Sequence, residues 1–425
     1  MLGWAGQDCP ELVAVDWQSV DIKMNEQDIH VAIACGGSGG HLFPGIAVAE
    51  KLRERGCSVT LFISEKEVDQ RAVQNVSGVE IVTTPAVGLE GGKKLAFAKG
   101  LLCSYRTART AYKKRRPAAA LAMGGFTSAA PLLAARCSGA KTFLHESNSV
   151  PGRANRLLSR GAHHVFIGFD QAAKHFRGGR VTKTGTPVRS CFQWLDPQSC
   201  RQELGLNPKR PVVLVVGGSQ GASGLNRFVL ESLPLTMELV GNAQFLHLAG
   251  SCEAEKVRNA YKVAGVPAVV HPFFDAMEVA LGAATVAVSR AGASCLAELA
   301  AMRLPAILVP FPEASNNHQL RNAEAFVNTG AARLLEQRLS TPEMLARSLA
   351  ALIENDEIRA RIQAALAKWE APAAAEIVAN AILDEVVPPR RGARRPVYEP
   401  MAVQTEAGFS TSVGLVASSP TYGRK

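Results

Sequence analysis

The same short design occurs twice in this chain, far apart in its 425 residues. Residues 29–35 form an apolar, β-branched run that ends in the turn GGSGGH at 36–41, and a helical pattern follows. Residues 212–216 form a second such run, which ends in GGSQGASGLN at 217–226. A buried strand, a glycine-rich turn and a helix form an anion site, because backbone N–H groups and the helix N-terminus converge there. The repetition predicts two nucleotide-type α/β domains that face each other.

Composition agrees with a globular chain of two domains. The sequence is 47% hydrophobic and 20% charged, and its length exceeds that of one ordinary core. A net charge of +10 and a pI of about 9.3 favour an anionic partner, such as a phosphorylated substrate, a nucleic acid or an anionic membrane surface. The nine cysteines include no C-x-x-C pair, which is typical of reduced thiols in the cytosol. Neither a secretory leader nor a membrane-spanning helix is predicted.

Residues 289–323 hold the densest group of polar candidates. They read as strand, turn, helix, strand, turn and helix, so both turns lie at the sheet edge where ligands of open α/β sheets bind. Gly292 would let the backbone approach a ligand, and Glu298 could accept two hydrogen bonds from a ribose diol. Three polar side chains of the second helix share one face and could bind sugar hydroxyls: His318, Gln319 and Asn322. Each alone could be ordinary loop or helix-end chemistry, but together they favour a nucleotide-sugar site.

Several motifs resemble the MurG family of N-acetylglucosaminyltransferases. They are GGSGGHLFPGIAVAE at 36–50, HESN at 145–148, GGSQGA at 217–222, and SRAGAS…AE followed by LPAILVPFP…HQ..NA within 289–323. The resemblance covers both predicted domains and the order of the motifs. It implies an α/β fold of two Rossmann-like domains that face each other across a cleft, the GT-B architecture. It also implies inverting transfer of N-acetylglucosamine from UDP-GlcNAc to the muramyl 4-hydroxyl of lipid I, which forms lipid II in peptidoglycan synthesis.

Neither a metal nor a cofactor is expected in this reaction. The sequence contains no Asp-x-Asp motif, which would hold a metal ion on a diphosphate. We therefore expect backbone amides and helix N-termini to stabilise the leaving UDP.

The resemblance also implies an order of segments along the chain. The segments are an N-terminal extension at 1–27, an acceptor and membrane-facing domain at 28–190, a linker at 191–211 and a UDP-GlcNAc-binding domain at 212–362. A C-terminal helix at 363–386 is expected to return to the first domain. The Pro- and Arg-rich tail at 387–425 is expected to be disordered. Met24, just before the first predicted strand, is a candidate for the true start.

The first glycine turn contains the candidate catalytic base. By resemblance, the acceptor diphosphate lies against Gly36, Gly37, Ser38, Gly39 and Gly40. His41 follows this turn and would accept the proton of the attacking hydroxyl. Glu146 is the second and less favoured base. A histidine at a helix start can instead bind only backbone groups, and that alternative stays open at this point.

Donor binding is expected from both domains. By resemblance, UDP-GlcNAc is bound by Ser38, Gly39, Gly40, Asn148, Arg189, Ser219, Gln220, Phe274, Glu298, His318, Gln319 and Asn322. Ser219 and Gln220 would contact phosphate, Phe274 would lie at the uracil, and Asn148 would contact the sugar. Three positions depart from the family pattern, since Thr186 stands where Asn is usual, Cys191 where an acid is usual and Ser223 where Arg is frequent. These departures weaken a role for Thr186 and remove one cation from the donor side.

A basic stretch predicts contact with a membrane. Residues 91–116 contain nine Lys or Arg and no acid, and basic side chains beside exposed apolar ones are typical of membrane surfaces. The predicted patch consists of Leu89, Lys93, Lys94, Leu95, Phe97, Lys99, Leu101 and Leu102, whereas the apolar stripe from Tyr105 onward is expected to be core. Nucleic acid is the weaker alternative, because no RNA-binding motif accompanies the charge. The resemblance implies a peripheral protein on the cytoplasmic face of the cell membrane, near other cell-wall synthesis proteins.

Three alternative functions were weighed against this interpretation of the sequence. A two-domain glycosyltransferase for a different lipid, such as diacylglycerol, would share the donor turns and differ in the first glycine turn and the patch. A non-catalytic sugar-nucleotide binding protein would keep the same turns without turnover. A nicotinamide-dependent dehydrogenase is disfavoured, because the sequence lacks a clean G-x-G-x-x-G with an acid at the end of the second strand.

Overall fold

A computed structural model of the protein describes residues 29–37, 39–74, 76–85, 94–176, 180–218 and 222–387. The first sheet is fully parallel and has the order β3-β2-β1-β4-β5-β6-β7. Its strands are β1 His30–Ala34, β2 Ser58–Ser64, β3 Glu80–Thr84, β4 Ala119–Ala122, β5 Lys141–Glu146, β6 His164–Ile167 and β7 Arg180–Lys183. The order reverses between β1 and β4, so the first glycine turn, directly after β1, lies at the switch point of this sheet.

The second sheet repeats this plan and has the order β10-β9-β8-β11-β12-β13. Its strands are β8 Val212–Val216, β9 Gln244–Leu248, β10 Ala268–His271, β11 Val286–Ser289, β12 Ala306–Leu308 and β13 Arg333–Leu334. The second glycine turn follows β8, again at the switch point, here between β8 and β11. The predicted fold of two facing α/β domains is thus confirmed.

Helices cover both faces of each sheet. They are α1 Gly39–Glu54, α2 Glu67–Ala72, α3 Lys94–Lys114, α4 Ala129–Cys137, α5 Arg153–Leu158, α6 Pro197–Glu203, α7 Ser223–Leu239, α8 Ala254–Val263, α9 Met277–Ala283, α10 Ala293–Ala301, α11 His318–Val327, α12 Pro342–Glu354, α13 Asp356–Leu366 and α14 Ala374–Val386. We call the elements packed on the first sheet the first domain and those packed on the second sheet the second domain. Among the described residues, no helix is both long and apolar enough to cross a bilayer.

The strands are buried on both faces, as a doubly covered parallel sheet requires. In β1, Val31 and Ile33 belong to the core on the face covered by α1, while Ala32 and Ala34 belong to the core on the opposite face. All five residues of β8 lie in the single core of the second domain. Their dense β-branched composition explains why these runs form interior strands.

The C-terminal helix returns to the first domain but is shorter than predicted. Val378 and Ile382 of α14 are buried in the α1 side of the first core, and Arg55 pairs with Glu376 at 2.7 Å. The helix begins at Ala374, whereas the prediction placed its start at residue 363. Residues 363–366 belong to α13, which packs on the second domain. Pro372 explains the break, because proline disfavours a helical conformation in the preceding residue.

Candidate active site

A cleft of about 940 Å³ lies between the carboxyl edges of the two sheets. The first domain contributes His41, which follows β1, and Glu146, the last residue of β5. The second domain contributes residues that follow β10, β11 and β12, including Phe274, Glu298 and His318. Each set comes from the carboxyl ends of strands and from the loops and helices that follow them, so the parallel topology is what brings these distant segments of sequence together.

Asp69 on α2 holds the first glycine turn in place. Its buried carboxylate accepts hydrogen bonds from the Gly37 N–H at 2.6 Å, the Ser64 N–H at 3.1 Å and the Ser64 hydroxyl at 2.5 Å. Gly36 has no room for a side chain, because a Cβ atom there would collide with the backbone of Ile63 and Ser64. Gly37 has a φ of 109°, which favours glycine. The turn is therefore fixed by its neighbours.

Replacement of Asp69 by alanine is expected to lower the free energy of unfolding by about 2 kcal/mol, because buried donors of Gly37 and Ser64 lose a charged acceptor. Urea unfolding of both proteins would measure the change. Asp170→Ala is the control, since Asp170 forms an exposed pair with Lys183 and its loss should cost less than about 1 kcal/mol. Equal effects of the two substitutions would contradict the assigned role of Asp69.

His41 lies at the start of α1 with its half-buried ring over the turn at Gly124 and Gly125. Gly124 has a φ of 113°, and a Cβ atom on it would lie only 2.9 Å from the His41 Cε1. Burial lowers the pKa of His41 below its ordinary value, and the nearby Glu146 carboxylate opposes that shift. A neutral imidazole at the cleft wall is the protonation state that a general base requires.

Glu146 holds the loop that follows it in place through hydrogen bonds. Its Oε1 accepts from the Asn148 N–H at 2.9 Å and from the Asn148 side-chain amide at 3.0 Å. Its Oε2 accepts from the Asn155 amide at 2.7 Å and from the Gly152 N–H at 3.3 Å. With four hydrogen bonds and almost no exposed surface, the carboxylate is better suited to positioning than to the predicted role of a base.

Glu298 lies on α10 in the second-domain wall of the cleft. The side chain is only 9% exposed, and burial raises the pKa of this carboxyl to about 7, although Arg189 acts in the opposite direction. Arg189 itself lies between two rings, with its guanidinium carbon 4.9 Å from the Phe43 centroid and 5.1 Å from the Phe192 centroid. Stacking of this kind fixes the guanidinium plane and lowers its hydration.

Two glycines of the second domain leave open space on the cleft side. No atom lies within 4 Å of a Cβ atom built on Gly218 or on Gly292, and both residues line the cleft. Gly292 is also the N-cap of α10 and supplies no side-chain cap. The first N–H groups of α10 are therefore available to an anion, in the way that a helix N-terminus binds phosphate.

The three polar residues of α11 have different roles in the structure. His318 and Gln319 line the cleft, and the Gln319 Oε1 accepts from the Phe311 N–H at 2.9 Å and the Ala291 N–H at 3.3 Å. Asn322 is 0% exposed, and its amide is bonded to Ser149 and Asn148 of the first domain. Ser149, Asn148 and the Ala291 carbonyl occupy the Asn322 amide in this structure, so the predicted contact with the sugar would require some of these bonds to break.

Several predicted residues lie outside the part of the chain that the structure describes. Ser38, Ser219, Gln220, Leu89 and Lys93 are not among the described residues, and neither are the extension at 1–27 and the tail beyond Val387. The side chain of Lys94 is also outside it. Gly39 and Gly40 line the cleft at the start of α1. Phe274 is half-buried, lines the cleft, and lies 5.0 Å from the His271 ring.

Helix α3 is divided as the sequence predicts between an exposed and a buried part. Leu95 is 89% exposed and Leu102 is 48% exposed, and Lys99 is also exposed. Beyond Tyr105, Ala108 and Tyr112 are buried in the first core. Phe97 contacts the exposed Phe126 edge to face, with ring centroids 5.6 Å apart. Apolar surface is therefore displayed at the N-terminal end of α3, next to the turn that supports His41.

Comparison with known proteins gives a consistent result. Residues 31–167 match the Glycosyltransferase family 28 N-terminal domain, and residues 212–378 match the Glycosyltransferase family 28 C-terminal domain. A relative from Anaeromyxobacter sp. (strain K) is 34% identical over 368 residues, which are 84% of this chain and 93% of the relative. It is named UDP-N-acetylglucosamine--N-acetylmuramyl-(pentapeptide) pyrophosphoryl-undecaprenol N-acetylglucosamine transferase. The chain belongs to this family of transferases, the MurG family.

Other members and solved structures agree. A relative of the same name from Geobacter sp. (strain M21) is 36% identical over 363 residues, 83% of this chain and 96% of its own. The crystal structure of MurG from Acinetobacter baumannii superposes with a TM-score of 0.64 at 27% identity, covering 83% of this chain and 99% of that chain. The calicheamicin glycosyltransferase CalG4, with a TM-score of 0.58 at 16% identity, shares the fold.

The motifs shared with the MurG family did not reveal two of the residues that build this site. An acid a few residues beyond β2, such as Asp69, is visible in the sequence. The sequence alone does not show that this carboxylate binds the glycine turn rather than a ribose. Ser294, at the start of α10, donates to the Gly40 carbonyl at 2.9 Å and joins the two domains beside His41. No local signal predicts that contact, because it depends on how the domains meet.

Proposed function

We propose that this protein transfers N-acetylglucosamine from UDP-GlcNAc to the muramyl 4-hydroxyl of lipid I, with inversion, and so forms lipid II. The cleft between the two domains is the main observation that supports this proposal. Glycine turns at two switch points face one cavity, and each domain matches the corresponding half of a family whose members are named for this transfer. Paired sites of this kind can hold an acceptor diphosphate and a donor diphosphate at the same time.

In this reaction His41 takes the proton of the acceptor hydroxyl as the hydroxyl attacks the anomeric carbon of the donor sugar. Its neutral ring, held over Gly124 and Gly125, is placed beside the first glycine turn, where the acceptor diphosphate would lie. UDP leaves from the opposite face of the sugar. The N–H groups at the start of α10 and the second glycine turn receive its developing charge.

On the donor side, the Glu298 carboxylate accepts hydrogen bonds from the ribose diol, and the loop at Phe274 holds the uracil. Ser38, Ser219 and Gln220 are assigned to the diphosphates by their positions in the two glycine turns. Arg189 supports the donor as a fixed cation between Phe43 and Phe192. His318, Gln319 and the second N–H of the Asn148 amide, which all line the cleft, are assigned to the sugar hydroxyls.

The test is transfer in the presence of EDTA. Purified protein is incubated with radiolabelled UDP-GlcNAc and a soluble lipid I analogue, and label is counted in the lipid product, with diacylglycerol as the alternative acceptor. Label in the lipid I product would support the acceptor class and independence from metal together. Transfer to diacylglycerol alone would reassign the enzyme to another lipid. Binding of UDP without any transfer would leave a sugar-nucleotide binding protein.

We further propose that the exposed end of α3 rests on an anionic membrane surface at the cytoplasmic face of the cell membrane. Leu95, Lys99 and Leu102 are exposed there, and Phe126 adds a neighbouring apolar ring. Exposed apolar side chains enter the headgroup region, while each cation near anionic lipid contributes about 1 kcal/mol.

The double substitution Leu95→Glu with Lys99→Glu is expected to weaken binding to phosphatidylserine-containing vesicles by at least about tenfold, since it removes one apolar anchor and reverses one charge. Vesicle cosedimentation measures the affinity, and turnover with a soluble lipid I analogue should stay unchanged. Lys113→Glu with Lys114→Gln, at the far end of α3, is the matched control, because both double variants lower the net charge by three. An equal loss in both variants would show that net charge alone drives binding.

A further inference from the structure

A chain of hydrogen bonds crosses from the second domain to the neighbour of the proposed base. It starts at Asn322 on α11, which is 0% exposed and belongs to a helix whose cleft face is otherwise made by His318 and Gln319. The Asn322 Oδ1 accepts from both the N–H and the hydroxyl of Ser149, each at 2.9 Å. Residues far apart in sequence are thus joined by a buried amide between the domains.

The other side of the same amide continues the chain. The Asn322 Nδ2 donates to the Asn148 Oδ1 at 3.1 Å and to the Ala291 carbonyl at 3.3 Å. Asn148 in turn donates its backbone N–H and its side-chain amide to the Glu146 Oε1. The Glu146 carboxylate carries the negative charge that opposes the lowered pKa of His41. The path therefore runs from α11 through two side chains to the charge beside the base.

At each step of this path, the chemistry of the groups fixes which one donates the hydrogen bond and which one accepts it. Because Glu146 is an acceptor and both Asn148 donors point to it, the Asn148 Oδ1 is left facing the second domain and needs a donor. Asn322 supplies that donor, and its own acceptor is satisfied by Ser149. If the domains separated, these buried groups would lose their partners or be hydrated again. The bonds therefore depend on the contact between the domains that this structure shows.

We propose that Asn322 is a positioning residue that couples closure of the two domains to catalysis. When the cleft closes, Asn322 fixes Asn148, and through it the Glu146 carboxylate, in the orientation that His41 requires. The bond from Ser294 to the Gly40 carbonyl forms across the same interface, next to His41 in sequence. The base is then fully aligned only when donor and acceptor sites are brought together. This inference rests on the proposed function, with His41 as base.

The groups around His41 come from both domains. Glu146, Asp69 and His145 approach it from the first domain, and His318 approaches from the second. His145 is itself held by the Gly185 carbonyl at 3.0 Å and by the Ser147 hydroxyl at 3.2 Å. Among these groups, the Glu146 carboxylate is the one that Asn322 reaches by hydrogen bonds, with Asn148 as the intermediate. A loss of Asn322 should therefore act on turnover through Glu146.

The kinetic test compares Asn322→Ala and Asn322→Asp with Arg321→Ala. Arg321 is the adjacent residue of α11, is exposed and pairs with Glu324 on the same helix, so it controls for changes to the helix. Both Asn322 variants are expected to lower kcat by about 10–10²-fold, the scale of a misplaced catalytic group, with less than about threefold change in the KM for UDP-GlcNAc. Asn322→Asp keeps the acceptor for Ser149, but it loses the donor to Asn148 and to the Ala291 carbonyl and introduces a carboxyl group in a buried position. A loss confined to KM would instead make Asn322 a donor-contact residue and overturn the proposal.

A double-mutant cycle separates this coupling from a general packing effect. In a Glu146→Gln background, Asn322→Ala should lower kcat by less than about threefold, because the negative charge at the end of the path has already been removed. A purely structural Asn322 would give the same fold loss in both backgrounds, and that additive result would reject the coupling.

Hydrogen exchange tests the bond without any turnover. The Ser149 N–H, which donates to Asn322, should be protected in the wild-type protein and should exchange at least about tenfold faster in Asn322→Ala, but not in Arg321→Ala. Fast exchange already in the wild type would refute the closed contact. If the protein fails to act on a lipid I analogue, the proposed function falls, yet this measurement still decides whether Asn322 joins the domains.

Discussion

The His41→Ala variant is expected to lower kcat for transfer to a lipid I analogue by about 10²–10⁴-fold, while the affinity for UDP changes little. That range is typical of a lost general base. The selectivity follows from position, because His41 lies in the first domain over Gly124 and Gly125, whereas the uridine site is assigned to the second domain. Steady-state kinetics and calorimetric titration with UDP provide the two measurements.

Chemical rescue and a pH profile sharpen this experiment. Added imidazole should restore part of the activity of His41→Ala, since removal of the ring leaves space over the glycine turn. In the wild type, kcat should fall on the acid side with a midpoint below the ordinary pKa of 6.5, because burial lowers the pKa of His41. That acid limb should be absent from the variant. Unchanged turnover, or an equal loss of UDP affinity, would remove His41 from the role of base.

Local sequence was sufficient to predict the parts of this protein that depend on neighbouring residues. The run VVLVV at Val212–Val216 can only be an interior strand, and two glycines after it require a turn that approaches a ligand. The same logic applied to β1 and its turn, so the fold and the location of the cleft followed. The division of α3 was also predictable, because the residues from Tyr105 onward repeat at helical spacing.

Contacts between distant segments were not predictable in this way. Asn322 is an amide of the kind that binds sugar hydroxyls, yet in this structure its amide is bonded to Ser149 and Asn148 of the first domain and to the Ala291 carbonyl. Glu146 stands in a motif with a histidine and an asparagine, and only the structure shows that its four bonds serve the loop. Whether a polar residue binds a ligand or another part of the chain is decided by tertiary packing, which a single sequence does not encode locally.

The Glu298→Ala variant is expected to raise the Kd for UDP and the donor KM by roughly 10²-fold. A carboxylate that accepts two hydroxyl hydrogen bonds loses about 3 kcal/mol of binding when both are removed. Donor affinity of the wild type should also fall as pH drops through about 7, because burial raises the pKa of Glu298 to about 7 and the protonated acid is the poorer acceptor. The Glu298→Gln variant is the reference, since it shares every other titration, including that of the nucleotide. If wild type and Glu298→Gln show the same pH dependence, Glu298 is not the ribose ligand.

The same carboxyl should make the empty protein less stable as pH rises. Its pKa in the folded state, about 7, exceeds the ordinary value of 4.5, so the folded protein holds the proton more tightly than the unfolded chain does. The resulting stabilisation is complete below about pH 4.5 and is lost as pH rises through 7, a change of about 3 kcal/mol for a shift of this size. Relative to Glu298→Gln, wild type should therefore lose about that much stability between about pH 5 and pH 8.5 in urea unfolding. If the stability of wild type and of Glu298→Gln changed in the same way with pH, Glu298 would not be desolvated. If the two stability profiles diverge as predicted, the negative charge of Glu298, which donor binding requires, destabilises the free enzyme. Hydrogen bonds from the bound ribose would then offset part of this destabilisation.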